Sequence, residues 1–292
     1  MDTRLAKNYT IIFLLVLNIV LFLISFLLEE KYKISKDQQN IIISYLENEG
    51  IKVYADIPKK YKPMAQISMK KTKHDDLILQ DLFFDSNDNI IRTEKFENTI
   101  FKQGDKSLIV NNLFLYFEDT GEKNNFYYDK QNSINIAEDY KKRIEKVYGN
   151  MYLDRVMEEK DYFLISYIQK VDGYKVFNNT LNVKIFEDGK INIHFNNYQK
   201  PDFISEKINI YSVDEAMYTF SKEIRNLIVD KEIYIRGIDL GYYLKGDSEN
   251  ITFSFLPYYR FYIRGIESPF YVNAYTNTFE YETMVINTEE IF

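Results

Sequence analysis

The segment YFLISYIQKVDGYKVFNNTLNVKIFEDGKINIHF, residues 162–195, decides the fold of much of the chain. It contains two Asp-Gly pairs, the dipeptide favoured in two-residue β-hairpin turns, each flanked by alternating apolar residues. We therefore predict three consecutive strands over about 162–170, 174–187 and 190–197. The buried faces are expected to hold Phe177, Leu181, Val183 and Ile185 in the second strand and Ile191, Ile193 and Phe195 in the third.

Helices and further strands are predicted on both sides of this segment. Ser35 and Ser212 are each followed three residues later by Gln or Glu, the capping-box pattern of a helix start. Three helices are expected, starting at Ser35, Ser133 and Ser212, with apolar faces of Ile41, Ile42, Tyr45 and Leu46, of Ala137, Tyr140, Ile144 and Val147, and of Val213, Ala216, Met217, Phe220 and Ile224. Other strands are predicted over about 64–70, 113–117 with a hairpin to 126–128, 232–245, 251–264, 270–276 and 279–286.

The order of these elements predicts an α+β protein. We expect one N-terminal transmembrane helix, followed by two extracytoplasmic subdomains. Each subdomain is expected to be a mostly antiparallel sheet with helices packed on one face. The predicted bounds are a cytoplasmic tail at 1–8, the transmembrane helix at 9–28, a linker at 29–35, and extracytoplasmic subdomains at 36–150 and 151–292.

The N-terminal stem NYTIIFLLVLNIVLFLISFLL, residues 8–28, is uncharged. A helix of about 20 residues rises roughly 30 Å, the thickness of a bilayer's hydrocarbon. Arg4 and Lys7 precede the stem and Glu29 and Glu30 follow it, which favours a cytoplasmic N-terminus and a domain outside the cell membrane. A single-pass anchor is predicted; a cleaved signal peptide is the alternative, but no small-residue cleavage pattern is present. A buried helix of a soluble protein is the third reading.

Two polar residues interrupt the stem, Asn18 and Ser25. They are seven residues apart and therefore share one face of a helix. Asn and Ser side chains can hydrogen-bond between transmembrane helices, each bond contributing about 1 kcal/mol. The sequence thus predicts that Asn18 and Ser25 contact a transmembrane partner, with local backbone bonding as the alternative.

Composition excludes several kinds of chemistry. The chain of 292 residues has no Cys, so it forms neither disulfides nor thiolate metal sites. Its net charge of −7 argues against nucleic-acid binding. His74 and His194 are predicted to be surface residues without metal-ligand neighbours, and the segment starting at Asp85 lacks the Gly and Glu of a calcium loop. We therefore predict no catalytic residue, no metal and no cofactor.

Three surface segments are candidates for interaction. In LPYYRFYIRG, residues 256–265, the side chains of Tyr258, Arg260, Tyr262 and Arg264 alternate along one face of a strand. This row is either an extracytoplasmic interface, since Tyr and Arg are enriched at binding hot spots, or a face covered by the helix at 213–225. The basic segments KKYK (59–62) and KKTK (70–73) are either solvated loops or sites for anionic lipid headgroups or wall polymers.

Several segments in order resemble the YycI (WalI) family. They are TIIFLLVLNIVLFL (10–23), LENEGIKVYADIPKKYKPM (46–64), ISYIQKVDGYKVFNNTLNVKIFEDGKI (165–191), SVDEAMYTF (212–220), IDLGYYL (238–244), LPYYRFYI (256–263) and FYVNAYT (270–276). The resemblance covers nearly the whole chain and is strongest over residues 160–276. Tyr259 departs from it, because a Trp is expected before the Arg of the Pro-aromatic-Arg segment.

The resemblance implies a bacterial, membrane-anchored regulatory protein without enzymatic activity. Such proteins modulate a WalK-type sensor histidine kinase, which acts with the response regulator WalR in cell-wall homeostasis. They associate with a YycH-type partner and contact the kinase through transmembrane helices and extracytoplasmic surfaces. Two other functions remain open from the residues alone: an anchored extracytoplasmic module that binds peptide or cell-wall polymer, and an anchored hydrolase, against which the residue inventory argues.

Overall fold

The computed structural model describes residues 3–84, 89–96, 98–111, 114–121, 127–229, 231–244, 252–266 and 268–280. The helices of these residues are α1 (Thr3–Lys31), α2 (Lys36–Asn48), α3 (Asp76–Phe83), α4 (Lys130–Tyr148) and α5 (Val213–Leu227). The strands are β1 (Ile51–Val53), β2 (Ile67–Lys71), β3 (Ile91–Lys95), β4 (Asn98–Gln103), β5 (Lys106–Val110), β6 (Leu115–Asp119), β7 (Tyr152–Glu158), β8 (Tyr162–Val171), β9 (Tyr174–Phe186), β10 (Ile191–Phe195), β11 (Tyr198–Phe203), β12 (Ile233–Tyr243), β13 (Thr252–Ile263), β14 (Phe270–Asn273) and β15 (Phe279–Glu280). The predicted α+β class with an N-terminal apolar helix and mostly antiparallel strands is confirmed.

The chain divides into two compact units, each assembled from segments that are distant in sequence. We call Met1–Met64, Ile208–Asp239 and Tyr259–Phe292 the stem unit, and Ala65–Lys207 with Leu240–Tyr258 the hairpin unit. This division differs from the predicted subdomains 36–150 and 151–292. The physical reason is strand pairing, because β6, which precedes Asn150, pairs along its whole length with β10, which follows it.

The hairpin unit contains the three strands predicted from residues 162–195. Strands β8, β9 and β10 pair antiparallel in chain order. The first turn has the two predicted residues, and both have positive φ, 51° at Asp172 and 81° at Gly173, as a type I′ turn requires. The second turn is longer than predicted: the amide of Phe186 donates to the carbonyl of Lys190 at 3.0 Å, which encloses three residues, with Gly189 at φ 85°.

The core of the hairpin unit lies between its sheet and the helices α3 and α4. Its buried residues come mainly from α3, α4, β4–β6 and β8–β10, and include Leu79, Phe101, Leu108, Leu115, Phe117, Ala137, Ile144, Ile165, Leu181, Val183, Ile185, Ile191, Ile193 and Phe195. Strand β6 pairs with β5 on one side and β10 on the other. The predicted hairpin from residues 113–117 to 126–128 is therefore wrong, because both edges of β6 are occupied.

The stem unit begins with α1, whose apolar part is exposed. A 21-residue segment of α1, Lys7–Leu27, has a mean hydropathy of 2.9, and none of it is buried within the fold. Within the described parts of the chain it is the one helix long and apolar enough to span a membrane. The reading of the stem as a buried helix of a soluble protein is thereby excluded. Helix α1 extends to Lys31, so the predicted linker 29–35 is reduced to residues 32–35.

Helix ends follow the local sequence closely. The hydroxyl of Ser35 accepts from the amide of Gln38 at 3.2 Å, and the Gln38 side chain accepts from the Ser35 amide at 2.9 Å, so the predicted capping box is confirmed. Gly50 has φ 70°, as expected after a helix C-terminus. Helix α4, in contrast, begins one turn before the predicted Ser133, because the carboxylate of Asp129 caps it.

Helix α5 is the buried helix of the stem unit. All five residues of its predicted apolar face, Val213, Ala216, Met217, Phe220 and Ile224, are buried. Phe220 stacks on Phe261 of β13 with ring centroids 4.3 Å apart. Helix α2 buries Ile42 and Leu46 and packs beside α5, where the rings of Tyr45 and Tyr218 are 5.1 Å apart. Strand β1 runs parallel to β12, with Ile51 opposite Ile233.

Candidate partner-binding site

The exposed stem carries its polar residues where helical periodicity predicts them. Asn18 lies in a shallow depression on one face of α1 that is otherwise apolar and is lined by Ile11, Leu14, Leu15, Ile19 and Phe22. These positions repeat every three or four residues, so they form one stripe along the helix. Ser25 lies seven residues beyond Asn18 in the same helix and continues that face. Contact of Asn18 and Ser25 with a partner stays a prediction.

The stem is joined closely to the folded part of its unit. Four residues, Tyr32 to Ser35, separate the end of α1 from the start of α2. Their backbone is fixed, since the amide of Ile34 donates to the carbonyl of Lys59 at 3.0 Å and the amide of Tyr61 donates to the carbonyl of Tyr32 at 3.1 Å. A force on α2 therefore reaches α1 through a short, hydrogen-bonded segment.

A groove runs between α2 and α5, and we call it the α2–α5 groove. Its volume is about 520 Å³, and it is lined by Gln38, Ile41, Ile42, Tyr45, Asp214, Glu215, Tyr218 and Asn277. Ile41 is 70% exposed and Tyr218 is 51% exposed, which is unusual for large apolar side chains beside a packed helix pair. The rings of Tyr45 and Tyr218 lie 5.1 Å apart and form the floor of its apolar part.

At the end of the groove that carries Asp214 and Glu215, hydrogen-bond acceptors are available to a ligand. Within the described part of the chain, Oδ1 of Asp214 and Oδ1 of Asn277 are buried atoms without a hydrogen-bond donor. Glu215 is already used, because its Oε2 accepts from the amide and the hydroxyl of Ser212, both at 2.8 Å. Buried acceptors are costly when unsatisfied, so this end of the groove suits a ligand that brings donors, such as a Lys or Arg side chain.

The electrostatics of this end are acidic. Asp214 and Glu215 occupy the first turn of α5. Burial raises the pKa of the nearby Tyr61 hydroxyl, and the negative charges of Asp214 and Glu215 raise it further. The groove thus pairs an apolar surface with a negative end. That combination fits an amphipathic segment with one basic residue.

Sequence reasoning named three residues of this groove, Ile41, Ile42 and Tyr45, but as one buried helix face, and it gave no binding role to the groove residues of α5 or to Asn277. Consecutive residues differ by 100° around a helix; Ile42 is buried and Ile41 is exposed. Tyr45 is half-buried rather than core. The signal available in the sequence was the run of three Ile residues at 41–43, because three consecutive side chains cover more of the helix than one packing face.

The predicted interface row in β13 is corrected by the structure. Tyr258 and Arg260 are buried, at 1% and 2% exposure, Tyr262 is half-buried and Arg264 is exposed. The alternative of a cover by α5 is also wrong for this face, since α5 packs on the opposite one, through Phe261. Arg260 is an internal residue whose guanidinium bonds to Asp239 at 2.6 Å and lies 4.7 Å from the ring centre of Tyr262.

The two histidines are also less exposed than predicted. Nδ1 of His74 lies 2.9 Å from the Tyr148 hydroxyl, and His194 stacks on Phe114 at 5.6 Å. Burial, with a smaller effect from the charge of Lys71, lowers the pKa of His74 to about 4 and lowers that of His194 as well. Both histidines are neutral packing residues of the hairpin unit at neutral pH.

The described residues contain no group of three or more His, Asp or Glu side chains that could hold a metal ion. Of the segment that was compared with a calcium loop, residues 85–88 lie outside the described part of the chain.

No protein-family model matches this chain, and no curated protein does. Among solved structures, the chain is similar in fold to an uncharacterized protein from Eubacterium rectale, with a TM-score of 0.50 and 12% identity over 80% of this chain and 91% of that one. It also matches the Bacillus megaterium YpeB C-terminal domain, with a TM-score of 0.41 and 11% identity over 73% of this chain and 97% of that one. The first match supports the α+β fold. The resemblance to the YycI family rests on the quoted residues.

Proposed function

We propose that the chain is a membrane-anchored, non-enzymatic regulator of a WalK-type sensor histidine kinase, and that it acts with a YycH-type partner. In this proposal α1 crosses the membrane once, with the N-terminus in the cytoplasm and both units outside. The observation that carries the proposal is that the apolar stem is unburied within its own fold, yet is tied to the α2–α5 groove by four residues. A helix that served only as an anchor would need neither polar residues on one of its faces nor a groove close to its end.

The proposed mechanism is a shift between conformational states of the kinase. The stripe around Asn18 packs beside the kinase's transmembrane helices and favours one of their arrangements. The α2–α5 groove receives an extracytoplasmic segment of the YycH-type partner, and the basic residue of that segment donates to Asp214 and Asn277. Occupancy of the groove fixes the position of α2 and, through residues 32–35, that of α1. The size of the effect is limited by the difference in affinity for the two kinase states.

The test is exchange of the stem. Residues 9–28 are replaced by an unrelated apolar helix of the same length, and kinase output is measured by phosphorylation of the response regulator in cells. Loss of regulation with normal membrane insertion supports the proposal. Regulation that survives the exchange would reduce α1 to a tether and overturn it.

A point variant sharpens this experiment. Asn18→Leu removes the polar group from the stripe, and Val16→Leu, two residues earlier and on another face, is the matched control. We expect Asn18→Leu to weaken regulation several-fold, because an interhelical hydrogen bond of about 1 kcal/mol corresponds to roughly a five-fold change in association. Equal effects of the two changes would contradict a role for the Asn18 face.

The alternative function is an anchored module that binds peptide or cell-wall polymer. The α2–α5 groove is the observation that favours it, since an apolar floor with a negative end also accepts a free peptide with a basic residue. Capture of defined wall fragments or peptides by the purified chain, in the absence of kinase and partner, distinguishes this function from the first.

A further inference from the structure

A basic and aromatic surface lies at the outer end of the stem, and we call it the juxtamembrane collar. It consists of residues 31–33 and 59–62, with the sequences KYK and KKYK. The two segments are 25 residues apart in sequence and are joined in space, since Lys33 and Lys60 form an antiparallel bridge. The amides of Ile34 and Tyr61 donate across this bridge at 3.0 and 3.1 Å. The sequence identified KKYK as a basic segment, but it did not show that this segment lies at the end of the stem.

The collar lies at the level where a bilayer's headgroups would be. The apolar segment of α1 ends at Leu27, and the helix continues for four residues to Lys31. At 1.5 Å per residue this places Lys31 about 6 Å beyond the hydrocarbon boundary, within the headgroup layer. Because residues 59–62 are bridged to the segment that follows Lys31, they lie beside the same layer.

The charge of the collar opposes the charge of the chain. Five lysines, at positions 31, 33, 59, 60 and 62, lie in it, and the carboxylates that precede it in sequence are Glu29 and Glu30. Glu30 bonds to Lys33, and the side chains of Lys59, Lys60 and Lys62 are exposed. Burial raises the pKa of the Tyr61 hydroxyl, and Asp214 and Glu215 are close enough to the collar to raise it further. Five lysines therefore form a basic cluster beside these carboxylates, in a protein whose net charge is −7.

The aromatic part of the collar has the chemistry of a membrane interface. Tyr32 and Tyr61 pack edge to face with ring centroids 6.1 Å apart. The Tyr61 hydroxyl donates to the carbonyl of Lys31 at 3.3 Å, and the Lys31 ammonium lies 5.4 Å from the centre of the Tyr32 ring. Tyr rings beside Lys side chains are enriched at the boundary between hydrocarbon and water, where the ring is half-buried and the ammonium reaches the phosphates.

We propose that the juxtamembrane collar binds the phosphate groups of anionic phospholipids in the leaflet on the domain's side of the membrane. The proposal depends on α1 as a membrane span and is independent of the kinase as partner. Clustered lysines at a membrane surface are attracted to anionic lipid, and the attraction decreases as salt increases. Binding at the collar holds residues 31–36 against the leaflet, so the lipid composition sets the angle between α2 and the membrane surface.

The test uses the full chain in lipid nanodiscs, where the absence of cysteine allows one unique label. A fluorophore is attached to Asp56→Cys, an exposed position three residues before Lys59, and a nitroxide quencher is carried on the lipid headgroups. Nanodiscs of phosphatidylcholine are compared with nanodiscs that also contain phosphatidylglycerol. We expect about two-fold stronger quenching with the anionic lipid at low salt, and loss of the difference at high salt.

Matched triple variants identify the lysines responsible. Lys59→Gln, Lys60→Gln and Lys62→Gln together should abolish the dependence on phosphatidylglycerol. Lys95→Gln, Lys102→Gln and Lys160→Gln together change the net charge equally at exposed positions of the hairpin unit and should preserve it. Circular dichroism verifies that both variants are folded.

Three results would each overturn the proposal. The first is equal quenching in both lipid compositions at low salt, and the second is equal loss in both triple variants. The third is a label that responds to added polyphosphate in phosphatidylcholine nanodiscs but not to phosphatidylglycerol, which would assign the collar to a soluble polyanion. All three leave the proposed kinase function untouched, because that function is measured by stem exchange.

Discussion

The guanidinium of Arg260 lies 2.6 Å from the carboxylate of Asp239, and the Arg260 side chain is 2% exposed while that of Asp239 is 24% exposed. The sequence left Arg260 either in an exposed interface row or on a face covered by the helix at 213–225; in the structure it forms an internal ion pair of the stem unit. A buried pair contributes little relative to apolar side chains, but removal of one partner leaves a charge without its counterion.

The ion pair yields the first prediction. Arg260→Met should destabilise the protein by about 3 kcal/mol, the lower end of the range for broken buried pairs, because Asp239 is partly exposed. The double change Arg260→Met with Asp239→Leu should recover much of that loss. The measurement is thermal unfolding of the full chain in detergent, followed by circular dichroism.

The control for this experiment is the exposed pair of Lys52 and Glu232, whose nitrogen and oxygen are 2.8 Å apart. Lys52→Met should leave the unfolding temperature unchanged within error, because solvent screens an exposed pair. A double variant at Arg260 and Asp239 that is no more stable than Arg260→Met would contradict the account of Arg260 as a paired internal charge.

Helix α5 gives the second prediction. Phe220 is fully buried and stacks on Phe261 at 4.3 Å. Phe220→Ala should cost about 3–5 kcal/mol of unfolding free energy, the usual range for loss of a core phenylalanine. Tyr218→Ala, two residues earlier on the same helix and 51% exposed, should cost less than about 1 kcal/mol. Urea unfolding measures both, and a similar loss in the two variants would contradict the assigned faces of α5.

The third prediction concerns the α2–α5 groove. Asp214→Asn should weaken binding of the YycH-type partner by about tenfold or more, because a desolvated charge-assisted hydrogen bond is lost. Stability should change by less than about 1 kcal/mol, since the favourable effect of Asp214 on the helix N-terminus is small. The measurement is binding of the two purified proteins in nanodiscs.

Glu223→Gln, later on the same helix, is the matched control for Asp214→Asn, because it removes one negative charge away from the groove. It should leave the affinity for the partner unchanged. Equal affinities of the two variants would remove the groove from the proposed interface while leaving the stem exchange to decide the kinase function.

The fourth prediction is a pH dependence that originates at His74. Burial lowers the pKa of His74 to about 4 in the folded protein, below the ordinary value of 6.5. Between these values the unfolded chain binds a proton that the folded chain does not, so stability should fall as the pH falls from about 6.5 to about 4. The contribution of His74 is on the order of 3 kcal/mol at the acidic end.

His74→Gln separates the contribution of His74 from those of the other titratable groups of the chain. Gln can still bond to the Tyr148 hydroxyl but does not titrate, so the variant should lose less stability on acidification than the natural chain. The readout is the unfolding temperature of both proteins at a series of pH values. Parallel curves would show that His74 is not the source of the acid sensitivity.

Local sequence determined the elements of this protein. Asp172 and Gly173 set a turn because both residues tolerate positive φ, and Ser35 and Ser212 set helix starts because their side chains engage the first helical turn. The stem was recognised as a candidate membrane span because an uncharged, apolar helix of about 20 residues matches the thickness of a bilayer's hydrocarbon. Elements with weak periodicity were missed, among them α3 and β3–β5. Strand β3, for example, is fully exposed and has no alternation of apolar residues to detect.

The tertiary structure decided what the elements do together. Strands β6 and β10 pair although their partner residues, such as Phe117 and Ile193, are 72 or more residues apart in sequence. The compact units therefore do not follow the order of the motifs along the chain. The burial of Arg260, the exposure of Ile41 and the meeting of two lysine runs at the end of the stem are all set by contacts between distant segments. The physical reason is that turns and helix caps depend on neighbours within a few residues. Burial depends instead on which distant segment covers a surface, and the residues around a position do not reveal that.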